Sequence, residues 1–127
     1  MAEQLTRLNA PGLRPPTSAL VHAVVHGGMV YCAGQVGVDP ATGAVVSGVG
    51  AQTRQALSNL ATILAAAGSS LDRVAKAGVF LRDVAMFAEM DAAFGEVFGS
   101  ALPARTAVPG LQFREGVDVE IDVVAAI

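Results

Sequence analysis

The chain has 127 residues, enough for one domain with a proper core and no need of disulfide staples. Hydrophobic residues make up 53% of it and charged residues 15%, a lean polar supply for a monomer, so the composition points to subunits that hide surface from one another. A net charge of −3 without any Lys/Arg cluster argues against a nucleic-acid surface, and a lone cysteine, Cys32, excludes an internal disulfide and suits a reducing cytoplasm.

The N-terminal "MAEQLTRLNAPG" lacks the basic-then-apolar pattern of an export signal. Residues 1–20 carry three prolines and little periodicity, and are expected to form an irregular arm. Between Pro15 and Val38 there is no Asp, Glu, Lys or Arg. Pro15-Pro16, Gly27-Gly28, His22, His26 and Gln35 interrupt that stretch, so it is not expected to span a membrane. From Val21 to His26 the chain alternates as a strand, with His22 and His26 on one face. Gly27-Gly28 signals a two-residue hairpin, and "MVYCAGQVGV" (29–38) returns as the second strand. "DPATG" at 39–43 is a turn, with Pro40 fixing φ and Gly43 permitting a left-handed backbone.

The period then changes. Ala56, Leu60, Ile63, Leu64 and Ala67 form a helical stripe, opposed by Gln52, Arg54, Gln55 and Ser58, and Gly68 ends the helix. "RVAKAGVFL" (73–81) reads as a strand. Asp83 is the expected N-cap of a second helix that buries Phe87, Met90, Phe94, Val97 and Phe98, and Pro103 stops any continuation. "RTAVPGLQF" and "GVDVEIDVVAAI" finish the chain as two strands. The order is β-β-α-β-α-β-β in a single α+β domain spanning 1–127, and two amphipathic helices can cover only one face of its sheet. Strands 29–38, 104–109 and 123–127 are apolar on both faces, so a homo-oligomer is expected to cover the other.

Several chemistries lack their residues. One cysteine and two histidines do not make a structural zinc site, and "GAVVSGVG" has neither the spacing nor the lysine of a phosphate loop. No G-x-S-x-G elbow occurs, and Cys32 sits mid-strand, where a buried thiol behaves as a small hydrophobe. "PARTAVPGLQFREGVDVEID" (103–122) remains. Arg105 opens an apolar run directly after Pro103-Ala104. In the last strand Val117, Val119, Ile121 and Val123 share one face, and Asp118, Glu120, Asp122 and Val124 the other. A guanidinium is a natural bidentate clamp for a small carboxylate, and a nearby carboxylate can position or deprotonate water. An acidic face in water with Arg105 in a surface ion pair fits the same spacing.

Three separated blocks resemble the reactive intermediate deaminase (RidA/YjgF) family. "GGMVYCAGQVGVDPATG" resembles its G-x-x-x-y-x-S-G-Q-x-x-x-d-p-x-T-G block, residues 52–98 its helix–strand–helix middle, and "PARTAV…VDVEIDVVAA" its P-A-R-S/T signature and closing V-E-I-E strand. The resemblance covers nearly the whole chain. It implies a chorismate-mutase-like α+β fold, two helices on one face of a mixed sheet, assembled as a homotrimer with a small pocket in each inter-subunit cleft. It also implies cofactor-independent hydrolysis of enamines or imines such as 2-aminoacrylate to a 2-keto acid and ammonia. By motif, Arg105 would clamp the substrate carboxylate and Glu120 would orient or activate water. Neither nucleic acid nor membrane is an implied partner.

Four positions depart from the family pattern. Leu20 stands where a tyrosine is usual, Ala33 replaces the serine of S-G-Q, Asp91 replaces an asparagine, and Ala107 replaces a small polar or thiol residue. These are the remaining candidate substrate-binding residues. Loss of the hydroxyls makes the pocket more apolar, and Asp91, if it faces the cleft, opposes a carboxylate ligand. Substrate choice is therefore expected to differ from 2-aminoacrylate. The alternatives are a hydrolase or tautomerase of another small carboxylate or carbonyl compound, and a non-catalytic trimer that binds small acids.

Overall fold

The computed structural model describes residues 4–127. Its strands are β1 (Thr6–Leu8), β2 (Ala23–His26), β3 (Met29–Cys32), β4 (Gln35–Val36), β5 (Val74–Leu81), β6 (Ala104–Val108) and β7 (Val119–Ala126). Helix α1 (Val49–Ala66) lies between β4 and β5, and α2 (Phe87–Phe98) between β5 and β6. The strands form one sheet in the order β1-β2-β3-β7-β5-β6, with β4 also beside β7. Only β5 and β6 run parallel, so the sheet is mixed, as expected.

Local chemistry explains most boundaries. Gly27 and Gly28 have φ of 60° and 75°, the left-handed pair that a two-residue hairpin requires, and they bring His26 opposite Met29. Gly68 follows α1 with φ of 83°, while the Ser69 N–H reaches back to the Leu64 carbonyl at 2.8 Å, closing the helix as a Schellman motif does. The Asp83 carboxylate accepts the Ala85 N–H at 2.8 Å and caps a short 3₁₀ turn, Val84–Met86, which runs into α2.

Leu57, Leu60, Ile63 and Leu64 of α1 and Met90, Phe94 and Phe98 of α2 pack on one sheet face against Val30, Val79, Leu81, Val119 and Ile121. Each fully buried side chain of this size contributes about 1.5–3 kcal/mol. Strict alternation along β7 places Val119, Ile121, Val123 and Ala125 beneath the helices and Glu120, Asp122 and Val124 on the other face. Among the described residues no helix lies on that second face, where Tyr31 is 47% and Val108 39% exposed. Among the described residues no helix is long and apolar enough to cross a membrane.

Three expectations need correction. The arm is not wholly irregular, since Thr6–Leu8 pairs antiparallel with Ala23–Val25 as an edge strand; residues 1–3 of it lie outside the described residues. The strand at 29–38 is broken. Between Tyr31↔Val124 and Gln35↔Ile121, four steps along one strand match three along the other, a bulge at Ala33-Gly34 whose Ala33 N–H turns to the His22 carbonyl. Gln52 is fully buried, because its amide serves main-chain groups on two loops. His22 is buried and hydrogen-bonded: its Nδ1 accepts the Ala10 N–H at 2.9 Å and pins the arm to β2.

Candidate functional site

Arg105 enters β6 in register with Ala77 of β5, which is fully buried beneath the helices, so its side chain rises on the helix face. There its Nη1 lies 2.8 Å from Oδ1 of Asp91, and its guanidinium sits 4.8 Å from the Phe94 ring centroid and 5.4 Å from that of Phe87. Phe87, Asp91 and Phe94 stand one helical turn apart along α2 and present one face to the arginine. Phe87, expected in the core, is 38% exposed because it forms part of this rim. Gly95, Leu102 and Pro103 complete a cavity of about 280 Å³ around the guanidinium. The aromatic faces hold the cation by its quadrupole attraction and leave its N–H edges for acceptors.

Glu120 is in register with Phe80 of β5 and Val36 of β4, on the face away from the helices. Its carboxylate makes no hydrogen bond or ion pair with the described residues. Gly34 is what admits it: a Cβ at that position would come 2.6 Å from Oε2. The bulge after Cys32 thus aims a bare backbone at the acid. Gln35, Val38, Gln112, Phe113 and Arg114 surround it in a groove of about 440 Å³.

Arg105 and Glu120 are therefore not neighbours within one chain but lie on opposite faces of the sheet. Asp91 joins Arg105, as an ion-pair partner rather than a free wall of a cleft. Leu20 is 52% exposed and lines a third cavity beside His22 and Gln35. Ala33 lies in the bulge next to Gly34, and Ala107 is half-buried on the Arg105 side, against the core. Phe94 as a seat for Arg105 and Gly34 as the space for Glu120 escaped the sequence reading. The spacing of Phe87, Asp91 and Phe94 was the available signal for the first. Cys32 lies in the core, where burial and, secondarily, the charge of Asp122 push its thiol up to about 12, so no thiolate forms near neutral pH.

A family model described as Endoribonuclease L-PSP matches residues 11–127. The chain belongs to the RidA/YjgF family. A RutC family protein of Pyrococcus horikoshii is 40% identical over 126 residues, with 98% of each chain covered. A 2-iminobutanoate/2-iminopropanoate deaminase of Salmonella typhimurium is 36% identical over 128 residues, again with 98% of each covered. The crystal structure of the YjgF gene product of E. coli superimposes with a TM-score of 0.88 at 32% identity, covering 95% of this chain and 98% of that one. This RidA/YjgF chain thus shares the fold of two helices on a mixed sheet with solved members of its family.

Proposed function

We propose that the chain hydrolyses small 2-imino acids, or their enamine tautomers, to 2-keto acids and ammonia without a cofactor. The site forms where the Glu120 groove of one copy meets the Arg105 cavity of another in a cytoplasmic homotrimer. The observation that carries this is the division of labour across the sheet. One cavity presents the Arg105 guanidinium held by aromatic rings, the other the unpaired Glu120 carboxylate, and the two lie on opposite faces of the sheet. A closed ring of copies seats one face of each chain against a different face of the next, and the lean polar surface supports such packing.

In the proposed reaction Arg105 takes the substrate carboxylate with two N–H donors and fixes the C=N carbon near Glu120 of the adjoining copy. Glu120 accepts a proton from water as the water oxygen bonds to that carbon. The electron pair of the C=N bond moves to nitrogen, which takes up a proton, giving a carbinolamine. The amino nitrogen takes up a second proton, the C–N bond breaks with its electron pair leaving on ammonia, and the hydroxyl proton passes to the Glu120 carboxylate as the C=O forms. An activated imine has a low barrier, so positioning plus one acid/base group suffices. RNA cleavage, which the family description names, finds little support in eight Lys and Arg against eleven Asp and Glu.

The test is release of pyruvate or ammonia from 2-aminoacrylate generated in the cuvette, and of keto acid from longer imines made by an amino-acid oxidase. Acceleration of any of them over the uncatalysed decay is the expected result. Saturable binding of keto acids with no acceleration of any imine would instead mark a small-acid-binding trimer, the reading that the apolar Leu20, Ala33 and Ala107 favour.

Asp91 has a separate consequence. Its ion pair with Arg105 is half-exposed at the carboxylate, so it adds little stability, about 0–1 kcal/mol, yet it competes with a substrate carboxylate. Asp91→Asn is expected to lower KM by about threefold to tenfold with a smaller change in kcat, and the gain should shrink as salt screens the repulsion. Steady-state kinetics at two ionic strengths check it; an unchanged or raised KM would show that Asp91 does not oppose the substrate.

A further inference from the structure

Between the N-terminal arm and the turn after β4 lies a cavity of about 300 Å³, with Arg14, Thr17, Ser18, Leu20, His22 and Arg114 among its walls. Among the described residues no Asp or Glu lines it. The guanidinium of Arg14 packs over Gly43, where a Cβ would meet its Cζ at 2.7 Å, and neither it nor the guanidinium of Arg114 has a hydrogen-bond or ion-pair acceptor among the described residues. His22 supplies an independent sign. It accepts the Ala10 N–H at Nδ1, so the neutral ring carries its proton on Nε2, and that donor has no acceptor among the described residues and is left for the cavity that His22 lines. An Nε2–H that faces the cavity and two exposed guanidiniums without partners offer an anion charge-assisted hydrogen bonds from three sides.

The cavity is continuous with the groove of Glu120, for Gln35, Val38 and Arg114 line both. By contrast, the groove around Arg82 and Asp118 holds charges that already pair with each other at 3.1 Å. We propose that the substrate carries a second carboxylate, which Arg14, Arg114 and the Nε2–H of His22 hold, while Leu20 and Val38 line the path of its methylene spacer. The substrate class is the imines of acidic amino acids. This rests on the imine-hydrolase reading, and 2-aminoacrylate, with no distal group, leaves this end of the site empty.

The test compares two isosteric imines made in place by an amino-acid oxidase, from glutamate and from glutamine, with the wild type and the Arg14→Ala/Arg114→Ala variant. The wild type is expected to favour the glutamate imine by about tenfold or more in kcat/KM, as a charge-assisted bidentate contact implies, and in the variant the ratio should fall close to one. Equal rates on both imines in the wild type, or a preference that survives both substitutions, would overturn the proposal. Calorimetric titration with glutarate, butyrate and inorganic phosphate separates the two ideas. Tighter glutarate binding that the variant loses, without turnover of any imine, would keep the distal anion site and remove the hydrolase. Turnover with glutarate and butyrate bound alike would do the reverse. Phosphate bound as tightly as glutarate would make this a general anion site and overturn the dicarboxylate class.

Discussion

Arg105→Ala and Glu120→Gln should each lower kcat/KM for imine hydrolysis by about a hundredfold to a thousandfold, since one loses the clamp and the other the base. Neither should unfold the protein. Arg105 sits at the rim of α2 with a half-exposed partner, and Glu120→Gln keeps the shape of a side chain that makes no internal hydrogen bond. The informative experiment is to co-express the two inactive chains. Because Arg105 and Glu120 rise from opposite faces of one sheet, a site that needs both must draw them from two copies. In a mixed closed ring, a site works when its arginine comes from a Glu120→Gln chain and its glutamate from an Arg105→Ala chain. Random assembly makes about a quarter of the sites competent. Recovery to roughly that level is the expected result. Two inactive variants with no recovery in mixed oligomers would mean that the groups act within one chain, which would require the sheet to rearrange. Full activity in either variant would remove that residue from the site.

The fold was largely legible because its strongest signals are periodic. Leading into and along β7 the apolar alternation through Val117, Val119, Ile121 and Val123 is unbroken, and all four are buried. In α1 the stripe of Ala56, Leu60, Ile63 and Leu64 is buried in full. The candidate residues of the site were named from motifs, but their placement in the fold was not legible. β6 reads Ala-Arg-Thr-Ala-Val, with small residues on both faces, so no hydrophobic alternation states which face takes Arg105; only its register against Ala77 does. The break in the strand after Cys32 was hidden for a similar reason. Apolar residues continue through Val36 and Val38, and a bulge shows itself only in pairing with β7. Gln52 was misplaced because polar residues are read as solvent-facing by default, whereas buried main-chain groups need polar partners.

That need makes Gln52 the position of largest expected effect on stability. Its side chain joins the loop before α1 to the start of β7. Nε2 donates to the Val46 carbonyl at 3.0 Å and to the Gly116 carbonyl at 2.8 Å, and Oε1 accepts the Asp118 N–H at 2.8 Å. Gln52→Leu keeps the bulk but strands three main-chain groups, each worth about 1–3 kcal/mol when buried without a partner. Water reaching the outer part of the groove beside Gly116 relieves some of this, so a net loss of about 3 kcal/mol is expected, a large share of a domain stability of about 5–15 kcal/mol. In urea this should move the midpoint down by about 1–3 M with the slope unchanged, compared at one protein concentration because assembly adds to stability. Gln52→Glu is the discriminating companion. It preserves the acceptor for Asp118 N–H but turns the donor end into a second acceptor facing two carbonyls and the Asp118 carboxylate, whose Oδ2 lies 3.4 Å from the present Nε2. It should therefore be at least as destabilising as leucine at neutral pH and recover part of the loss in acid, where a protonated glutamate can donate again. A leucine variant within about 0.5 kcal/mol of the wild type would show that the loops hold their places without this amide, and that Asp118, two residues before Glu120, is positioned by packing alone.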